Sequence, residues 1–168
     1  MPLNLLKKYN QLLDISAMNE FQRKKSLKGV FDKDITNNHN FAFRTKQINP
    51  TPAEGQDSME RLFTHLTTVI TDKSSNKREF DMARSVRLHW LNYHIEESKK
   101  ANMFVFSVAE PNGTRTYIYD KDEFYVIVLE PMRKGNNYFL LSAYYLEGKD
   151  KARDKMMKKY KRRLSDVL

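Results

Sequence analysis

Two histidines, one strand arginine and a serine–tyrosine pair are the residues of this 168-residue chain best suited to breaking a phosphodiester without a metal. His89 and His94 lie in ARSVRLHWLNYHIEE, Arg115 in TRTYIY, and Ser142 with Tyr144 in NYFLLSAYYL. Attack of an RNA 2′-hydroxyl on the adjacent phosphorus needs a base near that hydroxyl, an acid near the leaving oxygen and cations around the pentacoordinate phosphate. Side chains of these types supply all three. Other chemistries are set aside by what is missing: there is no Gly-rich phosphate loop, no HExxH, no Cys/His metal spacing and no G-x-S-x-G elbow. The chain also lacks cysteine, which removes thiolate nucleophiles and disulfides and fits a reducing compartment. No metal ligands and no cofactor are expected.

The histidines compete for one role. On a helical wheel of about 100° per residue, Arg87 and His94 fall within about 20° of each other with Arg84 nearby, while His89 points away beside Met82, Val86 and Tyr93. His94 therefore has cationic neighbours, and His89 the semi-buried setting in which a pKa is tuned. Either is the catalytic candidate, with Arg84 and Arg87 as phosphate contacts. In TRTYIY, alternation places Arg115, Tyr117 and Tyr119 on one face, an arrangement suited to phosphate contact and base stacking. Ser142 and Tyr144 likewise share a face. Each residue also has a bland reading as a core or solvent-facing side chain, and the scheme requires Arg115, an imidazole and Ser142 to meet on one concave surface.

The elements that must position them follow from periodicity. Leu3, Leu5, Leu6, Tyr9, Leu12 and Leu13 recur at helical spacing and predict an amphipathic arm. Residues 16–57, rich in Asn, Pro and Gly, predict a mostly irregular connection with a short strand near Asn40–Thr45. Asp57 is a candidate N-cap for a helix whose apolar face is Met59, Leu62, Phe63, Leu66 and Ile70. TDKSSNKREF is expected to be an exposed loop, and FDMARSVRLHWLNYHIEESKK a second helix. The period then shortens toward two in MFVFSV, TRTYIY, FYVIVLE and NYFLLSAYYL, four strands of an antiparallel meander with a tight turn at Pro111-Asn112-Gly113. A final helix repeats Ala152, Met156, Tyr160 and Leu164. The expected class is α+β: N-terminal helices on a four-stranded antiparallel sheet, then a basic C-terminal helix. Residues 1–57 are expected to form an arm and leader, and 58–168 the main domain.

The net charge is +9, of which residues 149–168 hold +6. That excess predicts a polyanionic partner, with Lys158, Lys159 and Arg162 among the steering cations. No segment has the length and continuous apolarity of a membrane span, nor of a signal peptide, so the expected location is cytoplasmic, or a target-cell cytoplasm after delivery.

In order and type, ARSVRLHWLNYHIEE, RTYIYDKDEFYVIVLEP, YFLLSAYYLEG and KKYKRRL resemble the C-terminal nuclease domains of phage and polymorphic-toxin proteins, grouped with barnase, EndoU, colicin-type RNases and RelE. The likeness spans roughly residues 80–164; the late motif commonly has threonine where Ser142 stands here. It implies helices packed on a four-stranded sheet whose exposed face cleaves RNA to a 2′,3′-cyclic phosphate, a helix His89 or His94, strand Arg115, and Ser142 with Tyr144. It further implies an RNA substrate, possibilities including tRNA, and an acidic immunity or antitoxin protein. The rival expectation is a non-catalytic nucleic-acid-binding module or phage accessory protein. A Mg²⁺-dependent DNase is disfavoured by the lack of a carboxylate cluster.

Overall fold

The computed structural model describes residues 2–168 and has an α+β architecture. Four long strands, β5 (Met103–Glu110), β6 (Gly113–Asp120), β7 (Tyr125–Pro131) and β8 (Asn137–Tyr145), form the expected antiparallel meander. Their alternating β-branched and aromatic residues suit a sheet buried on both sides. Gly113, at φ +118°, makes the tight reversal between β5 and β6.

The sheet is larger than four strands and is not purely antiparallel. β1 (Ala42–Phe43) and β2 (Lys46–Pro50) extend it to six, in the order β1-β2-β8-β7-β6-β5, with β2 parallel to β8. Asn and Pro in residues 37–52 disguised this pairing, since β2 carries only Ile48 as a buried apolar side chain. The leader also contains α2 (Glu20–Phe31), where Asn19 and Gln22 form a capping box and Leu27, Val30 and Phe31 are buried. Leader residues Leu13, Phe31, Phe43 and Ile48 join Leu62, Leu91, Ile127 and Leu129 in one core, so side chains from both sides of residue 57 pack together.

The helical layer is shorter and more broken than periodicity predicted. α1 is only Pro2–Leu5; Leu13 and Ile15 then enter the core as irregular chain, whereas Leu3, Leu6 and Leu12 stay exposed. α3 (Ser58–Thr67) starts as expected, with the Asp57 carboxylate accepting from Met59 N and Glu60 N. The supposed loop after it is a hairpin of β3 (Thr68–Asp72) and β4 (Lys77–Phe80). The next predicted helix is two pieces, α4 (Met82–Ser85) and α5 (Trp90–Ile95), joined by a turn at 86–89. His89 therefore leaves the wheel on which it was placed.

The terminal helix is likewise split into α6 (Gly148–Ala152) and α7 (Lys155–Lys161), with Asp154 in a left-handed conformation between them. Met156 is fully buried and, with Met157, Tyr160 and Leu146, covers Phe106, Val108, Tyr117, Tyr119 and Val126. Beyond α7 the chain caps the edge strand, Leu164 N donating to Ser107 O at 2.8 Å. Among the described residues no helix is long and apolar enough to cross a membrane.

Candidate nucleic-acid interface

The expected open tyrosine face does not exist as an open face. Its own aromatic content, Phe104, Phe106, Tyr117 and Tyr119, makes it apolar enough that α7 folds over it. Beneath α7 the Tyr117 hydroxyl donates to Glu110 at 2.9 Å and the Tyr119 hydroxyl to Asp154 at 2.9 Å. Burial pushes both phenols up, and the neighbouring carboxylates push them further. Two of the three steering cations are engaged there as well: Lys159 pairs with Glu110, and Arg162 lies 3.6 Å from it, while Lys158 is exposed.

Nor do the catalytic candidates meet. Arg115 pairs with Glu130 at 2.6 Å beside the β5–β6 turn. Asp120, the partner of His94, lies five residues further along β6, roughly 16 Å at ~3.3 Å per residue, and on the opposite face. His94 Nε2 sits 3.1 Å from the Asp120 carboxylate, off the axis of a good hydrogen bond, while Lys99 is 3.1 Å away and Tyr9 donates from its hydroxyl. Burial alone would raise the Asp120 pKa, but these partners outweigh it and hold it at about 2. This buried cluster clamps the N-terminal arm, with Tyr9 stacked on Tyr93 at 4.5 Å. His89 does a similar job: its Nε2 lies 3.0 Å from the Lys8 carbonyl, and burial lowers its pKa against the opposing pull of that contact. Ser142 and Tyr144 share a face with Arg115, Tyr117 and Tyr119, since Tyr117 opposes Val128 and Val128 opposes Ser142, but both imidazoles lie on the other side of the sheet.

A different cationic group does assemble, at the free half of β8. β2 stops pairing with β8 at Leu140, and α3 and α4 pack beside the remainder. The Arg84 guanidinium donates to His65 O at 2.7 Å and Thr68 O at 3.1 Å, and lies 5.7 Å from the Tyr144 ring centre. Arg78 donates to Thr68 Oγ1 at 2.8 Å and Thr68 O at 3.0 Å, Arg61 to Pro52 O at 3.3 Å and Arg87 to Ala83 O at 2.6 Å. Arg87 also lies 4.0 Å from the Tyr145 ring centre, and Lys151 of α6 donates to the Tyr145 hydroxyl at 2.7 Å.

Among the described residues, none of these four arginines forms an ion pair with a carboxylate. Asp81, whose charge Arg84 feels, accepts the Arg84 backbone N–H as the α4 N-cap. Among the described residues the buried Nε groups of Arg84 and Arg87 find no hydrogen-bond partner. Backbone carbonyls thus fix the guanidinium planes while leaving their charge uncompensated, the setting in which an anion gains most.

His65 stands among these cations. Burial first, then Arg78, Arg61 and Arg84, drive its pKa down to about 4, so the imidazole is neutral near pH 7. The basic surface continues through Tyr145 and Lys151 to α7, where Arg153, Lys155, Lys158 and Arg162 line a shallow depression. Arg61, His65 and Arg78 were not singled out in the sequence, although the i, i+4 spacing of Arg61 and His65 puts them on one side of α3. Arg78 lies on β4, inside the polar run TDKSSNKREF whose composition reads as a loop. Among the described residues no three His, Asp or Glu side chains converge as a metal site. Compared with known protein families, curated proteins and solved structures, the chain has no match.

Proposed function

We propose that this protein binds RNA along the arginine-rich shelf formed by α3, β4, α4 and the free half of β8. The observation that carries the reading is that Arg61, Arg78, Arg84 and Arg87 are anchored by backbone carbonyls and, among the described residues, have no carboxylate counter-ion. A ribose-phosphate chain supplies regularly spaced anions for them, and Tyr144 and Tyr145 offer aromatic surface beside them. The cations of α6 and α7 extend the attraction. Titration of a labelled single-stranded RNA with the wild type and an Arg78→Ala/Arg84→Ala double variant tests this: at least a tenfold weaker complex is expected from the variant, and equal affinities reject the shelf.

A second reading, metal-independent cleavage, is favoured by one observation, the neutral His65 imidazole surrounded by guanidinium groups. In that scheme His65 takes the proton of the RNA 2′-hydroxyl as its oxygen bonds to phosphorus. The 5′-oxygen then leaves and gains a proton from solvent, giving a 2′,3′-cyclic phosphate. Incubation with total tRNA in excess EDTA separates the two: cyclic-phosphate ends lost in His65→Ala favour the enzyme, and intact RNA favours the binder. An acidic inhibitor protein, if the protein is a toxin, would have to cover this same shelf.

A further inference from the structure

Between α3 and the sheet lies a small cavity of about 230 Å³, floored by Leu62 and Leu140 and walled by Leu141. Its mouth carries Arg61 and His65 of the arginine shelf, together with Thr51 and Ser58. We infer that this cavity receives the base of an unpaired nucleotide whose phosphates lie on Arg61, Arg84 and Arg78. The inference rests on the RNA-binding reading and narrows its substrate to strands with bases free to turn out of a helix.

Three features support it. First, adjacent residues of a strand normally point to opposite faces, yet Leu140 and Leu141 both line this cavity. A bulge is responsible: Leu129 faces Leu140 and Val128 faces Ser142, leaving Leu141 unopposed. Bulges of this kind re-aim a side chain beside a functional site. Second, at about 230 Å³ the space falls below the roughly 300–1,000 Å³ of pockets for drug-sized ligands, so it suits one ring system with sugar and phosphate left outside. Those outer groups then reach the guanidinium groups at the mouth.

Third, the rim has the groups a base requires. The planes of an imidazole and a guanidinium both stack on nucleobases. Among the described residues, the side chains of Thr51, Ser58 and His65 engage no hydrogen-bond partner, and Arg61 uses only one of its N–H groups, on Pro52 O. Donors and acceptors are therefore available for a base edge, while the leucines supply apolar surface for its ring. A duplex cannot present a base this way without first unpairing it.

Fluorescence anisotropy with four probes of equal length tests the inference: a labelled heptauridylate, a heptaadenylate, an abasic ribose-phosphate heptamer, and a blunt RNA duplex. The single strands are expected to bind at least tenfold more tightly than the abasic chain and the duplex, and Leu141→Trp, which fills the cavity, is expected to bring that ratio to about one. Equal binding of all four probes overturns the pocket while leaving RNA binding standing. Absence of binding by any probe overturns both.

Discussion

Replacing Arg84 by alanine should change the salt dependence of RNA binding by an amount that the structure fixes in advance. Five cations, Arg61, Arg78, Arg84, Arg87 and Lys151, line the shelf and have no carboxylate partner among the described residues. If each neutralises one phosphate of a single strand, the slope of log K against log salt is about −3.5, at ~0.7 per contact. Raising salt from ~50 to ~200 mM then weakens binding roughly a hundredfold. Arg84→Ala removes one contact and should move the slope to about −2.8. Arg115→Ala is the internal control, because that guanidinium is already neutralised by Glu130 at 2.6 Å. Anisotropy titrations at four salt concentrations measure all three slopes. The reasoning fails if Arg84→Ala leaves the slope unchanged, or if Arg115→Ala shifts it more than Arg84→Ala does.

Other consequences follow from the same geometry. Bound phosphate beside His65 should raise its pKa from about 4, so the complex takes up a proton and affinity climbs as pH falls from 7 toward 4, by up to about tenfold per unit; His65→Gln should flatten that profile in anisotropy titrations. Asp120→Asn should cost about 3–5 kcal/mol at pH 7, since it strips the counter-ion from a buried cluster. The sign is that of a depressed carboxylate: its contribution is complete above its ordinary value of 3.8 and fades as pH falls through about 2, so the stability gap between wild type and variant in urea melts should narrow over that window. Met156→Ala should cost about 2–5 kcal/mol, because the side chain is fully buried between α7 and the sheet; an unchanged thermal midpoint would show that α7 does not dock there.

Where a segment's pattern depended only on its own residues, the sequence was legible. The meander of β5–β8, the turn at Gly113 and the Asp57 cap each follow from local alternation, a positive-φ position or a side chain within three residues of its partner. The candidate site was not legible in the same way. Arg115, His89 and His94 were the right types, but each is spent within the protein, on Glu130, the Lys8 carbonyl and Asp120. Arg61, His65 and Arg78 are unremarkable in the sequence and are brought together only because α3 and α4 pack on one half of β8 while the β3–β4 hairpin lies against the end of α3.

Composition and periodicity by themselves determined a basic α+β protein with a central antiparallel meander and an apolar-striped, cationic C-terminus, because net charge and side-chain alternation are properties of the chain. Tertiary structure alone decided which cations remain free. Whether an arginine meets a carboxylate or a carbonyl depends on residues distant in sequence: Glu130 lies 15 residues from Arg115, and the His65 carbonyl 19 from Arg84. The same long-range packing placed α7 over the tyrosine face and shifted the uncompensated charge to the edge of β8.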